Sequence, residues 1–128
     1  MNKRQYANMF REAANIVSKG WHQGLWFQQN SHGWCYCVAG ALNLVSGDSA
    51  CLPNQTSYAM YKMVEELLNI TISNGWARLA EWNDYPVRRQ EHVVEILRHA
   101  AARLDHGWTP ICWDSAKNIK PLYDSSQT

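Results

Sequence analysis

The chain has no apolar stretch approaching the ~20 residues that a membrane-spanning helix needs. It has no excess of either charge. Twelve Lys and Arg against eleven Asp and Glu leave a formal net charge of +1. That balance argues against a partner held mainly through a nucleic-acid backbone, which calls for a basic surface. The opening residues, Met1 to Tyr6, are charged and lack the apolar run of a signal peptide. A cytoplasmic protein without a membrane partner is therefore expected. Cysteine is sparse. Cys35, Cys37, Cys51 and Cys112 are too few for a disulfide scaffold at this length, and in a reducing compartment they stay thiols. No repeat or linker-like stretch interrupts the sequence, so one domain over residues 1–128 is expected. A chain this long buries roughly 65–70% of its unfolded surface and needs no staple. Phenylalanine is scarce too, at two residues, whereas Trp numbers seven and Tyr six. The bias is toward rings that bury large areas yet keep a polar handle, which suits cores, interfaces and ligand walls alike.

The apolar periodicity predicts a mainly α fold, a compact bundle of about five helices with a short β-hairpin near residues 25–37. Tyr6, Met9, Phe10, Ala13 and Val17 recur at helical spacing over residues 4–18, and Gly20 is a natural stop. Leu25–Gln28 and Trp34–Cys37 are aromatic, strand-like runs, with Asn30-Ser31-His32-Gly33 supplying turn chemistry between them. Cys37–Val45 is apolar nearly all round and reads as a buried helix ending at Gly47. A glycine at position 40 costs a helix about 1 kcal/mol relative to Ala, which suggests that another backbone comes close there. Thr56 or Ser57 is expected to cap the next helix, which runs to about Asn69 with Met60, Met63, Val64, Leu67 and Leu68 as its stripe. A short helix over 75–82 points Leu79 and Trp82 inward, and Asn83–Pro86 reads as a turn. Residues 88–104 form the clearest helix, through Val93, Ile96, Leu97, Ala100 and Leu104, with Gly107 ending it. Periodicity is then lost, and 108–128 reads as an irregular C-terminal segment.

Three constellations carry chemistry. His22, His32, Cys35 and Cys37 are soft or borderline donors close in sequence, the donor type that zinc takes. Cys-x-Cys is not the usual finger spacing, although residues two apart on a strand share a face. Two cysteines packed as small apolar side chains account for the same pattern. The second constellation is a nucleophilic Cys37 at a helix start, where backbone N–H groups lower a thiol's pKa. His22 or His32 would serve as base and Asp84 as its orienting group. The third is Trp82-Asn83-Asp84, a polar pair beside an aromatic wall. Such a pair suits a ligand amide or hydroxyl, but it also suits caps and turns. His92 and His99 share a helix face with Glu95 that reads as exposed. Arg88, Arg89, Arg98 and Arg103 read as a solvated face, because Glu91 and Glu95 are interleaved with them.

Gly20-Trp21-His22-Gln23-Gly24, Cys37-Val38-Ala39-Gly40-Ala41-Leu42 and Trp82-Asn83-Asp84, in that order, resemble an uncharacterised family of small proteins, chiefly actinobacterial and bacteriophage. The resemblance spans roughly residues 6–104. It implies a helical fold and a set of positions, and it brings no activity with it. His22 stands where many members are expected to carry Cys, which favours a His22/Cys37 pair. Arg89 stands where a capping Thr is expected, so another group, such as Asp84, must satisfy the N–H donors there. The bacteriophage association implies an accessory role against a host or defence component, in the host cytoplasm.

The residues together point to a small non-enzymatic binding protein. Its partner would be a protein or a small molecule, met by Trp21, His22, Trp82, Asn83 and Asp84 beside the hairpin. The alternatives are a cysteine-dependent hydrolase or transferase built on Cys37, His22 and Asp84, and a structural zinc site at His22, His32, Cys35 and Cys37. No cofactor is implied.

Overall fold

A computed structural model describes residues 1–24, 26–30, 33–47, 49–68 and 77–106. The expected 108–128 segment, the stop at Gly107, Cys112 and His32 lie outside them. The fold is mainly helical, with one antiparallel hairpin.

Helix α1 (Lys3–Lys19) opens on a capping box. Asn2 Oδ1 accepts from the Gln5 N–H, and Gln5 Oε1 accepts from the Asn2 N–H, each at 2.9 Å. Its buried face is Ala7, Phe10, Ala13, Ala14 and Val17. Three alanines on that face let the long last helix lie close along it. Gly20 closes α1, its N–H bonded to the Ile16 and Val17 carbonyls. A Cβ at Gly20 would sit 2.4 Å from the Trp34 carbonyl oxygen, so the glycine also lets the hairpin approach.

The hairpin pairs β1 (Phe27–Asn30) with β2 (Gly33–Tyr36) in the register Phe27–Tyr36, Gln28–Cys35, Gln29–Trp34, Asn30–Gly33. Gly33 takes φ +120°, a conformation that L side chains rarely adopt, at the turn end of β2. Beyond β2 the sheet is extended by a parallel bridge between Trp21 and Tyr36.

Helix α2 (Val38–Ser46) is buried along its first six residues. The close approach expected at Gly40 is present: a Cβ there would lie 2.0 Å from the Trp26 carbonyl oxygen. Helix α3 (Gln55–Leu68) is capped by Asn54 rather than by Thr56 or Ser57. Asn54 Oδ1 accepts from the Ser57 N–H at 2.9 Å, and Ser57 Oγ accepts from the Asn54 N–H at 2.8 Å. Ser57 thus occupies the third helical position of a capping box, three residues after its cap. Helix α4 (Ala77–Asp84) buries Leu79 and Trp82 as expected, but Asn83 and Asp84 form its last turn instead of a free loop.

Helix α5 (Gln90–His106) buries Val93, Val94, Ile96, Leu97, Ala100 and Ala101 against α1 and α3. His92, expected on a solvent face, is buried, because its ring has a backbone to serve. His92 Nδ1, at the third position of α5, accepts from the Arg89 N–H at 3.2 Å, the return half of a capping box. Arg88 is also buried rather than solvated. Its guanidinium lies 4.1 Å over the Trp82 ring, and its Nε donates to the Trp82 carbonyl at 2.9 Å. The aromatic face and the carbonyl replace part of the water that the cation gives up. Burial lowers the Arg88 pKa to about 10. Among the described residues no helix is long and apolar enough to cross a membrane.

Candidate functional site

Asn83 is the point where α4, the chain leaving α1, and the start of α2 meet. It has no solvent exposure, and all four of its amide valences are used. Oδ1 accepts from Trp21 Nε1 at 2.9 Å and from the Val38 N–H at 3.0 Å. Nδ2 donates to the His22 carbonyl at 3.1 Å and to Asp84 Oδ1 at 3.0 Å. A buried amide that is fully bonded fixes the elements around it, because moving any one of them leaves a desolvated polar atom.

Its neighbours extend the knot. Gln23 Nε2 donates to the carbonyls of Asn83 and Tyr85, both at 3.0 Å. The Gly24 N–H donates to Asp84 Oδ1 at 2.8 Å. Gly24 holds φ +98° to do so, a backbone state that glycine reaches without strain. Residues 21–24 are thereby strapped to the C-terminal end of α4, about 60 positions further along the chain.

Cys37 sits beside this knot as the N-cap of α2, one residue before the helix proper. Its Sγ accepts from the Gly40 N–H at 3.2 Å, in the manner of an N-cap. The expected lowering of its pKa does not follow. Burial is the largest influence and outweighs the backbone donors, and Asp84 adds a like-charge penalty, so the thiol is pushed up to about 11. Cys37 and Asp84 lie close enough for the carboxylate to act on the thiol, and the His22 carbonyl reaches the same Asn83 amide that bonds Asp84. The thiol bonds Gly40, and the Asp84 carboxylate accepts from Gly24 and Asn83. Of the metal set, His22, Cys35 and Cys37 form no cluster that could hold an ion among the described residues, where His32 is not included.

A family of unknown function, DUF6197, has a model that matches residues 1–103. The chain belongs to this family. No curated protein and no solved structure matches it. The span common to the family runs from α1 into the last turns of α5, so it contains the hairpin, the Asn83 knot and Cys37 together.

The expected ligand residues divide by depth. Trp82 and Asn83 have no exposure, and Trp21 and His22 are partly buried. Asp84 alone of the five is exposed. Of the polar pair beside the aromatic wall, Asn83 is therefore inside the molecule and Asp84 is at its surface. The adjoining hairpin carries an exposed aromatic ring, Trp34. Phe27 and Gln29 share a face with Trp34 and Tyr36, since cross-strand partners point to the same side. The Phe27 and Trp34 rings meet at a tilt of 55° with centroids 5.3 Å apart, and the Phe27 centroid lies 6.4 Å from that of Tyr36. Tyr36 reaches back to the core, whereas Trp34 is 48% exposed. The sequence contained a signal for this face. Trp34 and Tyr36 stand two apart on a strand, opposite the Phe27 of the preceding strand.

Proposed function

We propose that this protein is a small non-enzymatic interaction module whose contact surface is the aromatic face of the hairpin, centred on Trp34 and Phe27. The observation that carries this reading is the half-exposed Trp34 ring set against Phe27 on a hairpin packed closely on Gly20 and Gly40. An exposed, preorientated tryptophan buries large area on contact and loses little side-chain entropy. The hairpin's position is set from behind, by Gly20 against Trp34, by Gly40 against Trp26, and by Asn83 through Trp21 and Val38. Trp82, Asn83, Asp84 and Cys37 belong to the support of this surface rather than to the surface itself. A raised thiol pKa and a thiol bonded to its own helix favour support over nucleophilic catalysis.

The partner class is a protein. The resemblance to bacteriophage proteins makes a host or defence protein the first partner to try. The test is affinity capture from the extract of a host cell, with the wild-type chain and Trp34→Ala immobilised side by side. A protein retained by the wild type and lost with Trp34→Ala, at equal circular dichroism and thermal midpoint, supports the reading. Equal retention by both chains contradicts it.

A further inference from the structure

We infer that the outer edge of β1 is a self-pairing edge, and that two copies of this chain associate by antiparallel pairing of β1 with β1 about a two-fold axis at Gln28. This goes beyond the aromatic face and uses different groups of the same hairpin.

The direction of each backbone group follows from the bonds around the hairpin. The Cys37 N–H donates to the Trp26 carbonyl at 3.2 Å, so the 26–37 position is of the hydrogen-bonded type. Antiparallel ladders alternate, so Gln28–Cys35 and Asn30–Gly33 are of that type as well, and Phe27–Tyr36 and Gln29–Trp34 are not. Tyr36 agrees with this assignment. Its N–H and carbonyl point the other way, to the Gly20 carbonyl at 2.9 Å and the His22 N–H at 3.2 Å. The N–H and C=O of Phe27 and Gln29 therefore point away from β2, to the outside of the sheet. Among the described residues no strand pairs with that edge, and the Gln28 and Gln29 side chains are exposed.

Free strand edges are usually blunted by a charge, a proline or a bulge. β1 reads Phe-Gln-Gln-Asn and has none of these. Self-pairing has a strict geometric requirement, which this edge meets. A two-fold axis perpendicular to the sheet keeps each face on its own side, so the axis must pass beside a residue that meets its own copy. With Gln28 on the axis, Phe27 stands opposite Gln29 of the second copy, and Gln29 opposite its Phe27. These are the residues whose backbone groups point outward, so the register closes four backbone hydrogen bonds. A charged residue on the axis would repel itself. A glutamine amide carries both donors and acceptor, and pairs with its own copy. The result is a continuous four-stranded sheet that places the two Phe27–Trp34 faces on one side.

Four residues per strand make this a weak, concentration-dependent dimer. Sedimentation equilibrium and amide hydrogen exchange from micromolar to millimolar protein test it. The mass is expected to rise toward twice that of the monomer. Protection of the Phe27 and Gln29 amides is expected to rise about tenfold, while the Asn30 amide, already bonded within the hairpin, stays constant. Gln28→Lys sets two like charges on the axis and is expected to abolish both changes. Trp34→Ala is expected to keep them, so this inference and the aromatic-face reading fail separately. A monomer at every concentration overturns the inference. So does a dimer that Gln28→Lys leaves intact, or protection of Phe27 and Gln29 that appears only with a different protein.

Discussion

Asn83 Oδ1 accepts the Val38 N–H at 3.0 Å, across 45 positions of sequence, and that bond ties the last turn of α4 to the first residue of α2. The same oxygen takes the Trp21 indole N–H. One side chain therefore sets the angle between the helices on which the hairpin rests.

Replacing Asn83 with Ala leaves the Val38 N–H, the Trp21 Nε1 and the His22 carbonyl without their partner in a buried setting. At about 1–3 kcal/mol for each orphaned group, with partial relaxation, the loss is expected to be about 3–5 kcal/mol. Urea unfolding of the two proteins measures it. A loss within about 0.5 kcal/mol, the range of an ordinary surface substitution, would contradict the role given to Asn83.

Gly40→Ala separates helix propensity from packing. Propensity alone favours Ala by about 1 kcal/mol. The new Cβ, however, would stand 2.0 Å from the Trp26 carbonyl oxygen, a backbone atom that cannot swing away. The expected outcome is a net destabilisation of about 1–3 kcal/mol, with shifts in the amide resonances of Trp26 and Phe27. A stabilised variant would show that α2 and the hairpin are not in contact at that point.

The Cys37 thiol offers a kinetic test. With its pKa at about 11 instead of 9.0, it holds about a hundredfold less thiolate at neutral pH than an ordinary cysteine. Alkylation followed by peptide mapping is expected to label exposed Cys51 first and to leave Cys37 unlabelled until the protein unfolds. The linkage has a definite direction. A folded pKa above the unfolded one means that the stability contribution is present below pH 9 and is lost between pH 9 and about 11. Rapid labelling of Cys37 in the native protein at neutral pH would restore the nucleophile reading.

His92 gives the opposite dependence. Burial, aided by Arg88 and Arg89, lowers its pKa below 6.5, and its Nδ1 must stay unprotonated to accept the Arg89 N–H. Its contribution is therefore present above pH 6.5 and is lost as the pH falls toward the lowered folded value. The thermal midpoint of the wild type is expected to drop between pH 7 and pH 5 by more than that of His92→Gln, which cannot titrate. Equal drops would remove His92 from the account.

Local features were readable from the sequence and distant ones were not. The 3.6-residue stripe of α5, the turn residues between β1 and β2, and the unfavourable glycine at position 40 are all signals within one window, and each led to the right element. Cys37 was legible as a helix start for the same reason. Its pKa was not, since that depends on how deeply the rest of the chain buries it. Asn83 and Asp84 looked like turn residues because Asn and Asp usually serve the backbone nearby. Here they serve backbone at Val38, His22 and Gly24, and single-sequence spacing contains nothing about partners 45 to 61 positions away. Arg88 was misplaced for a related reason. A long cation reads as solvated unless the Trp82 face that receives it is known. In the candidate surface, the aromatic excess was visible in the composition, whereas which rings face outward depended on strand register.

The central claim is that the hairpin face makes contact and the Asn83 knot holds it in place. Trp34→Ala tests it most directly, with thermal midpoint and partner capture measured on the same preparation. The expected result is a midpoint within about 2 °C of the wild type, as for a half-exposed side chain outside the core, together with loss of the captured protein. Capture that persists with Trp34→Ala at full strength would contradict it.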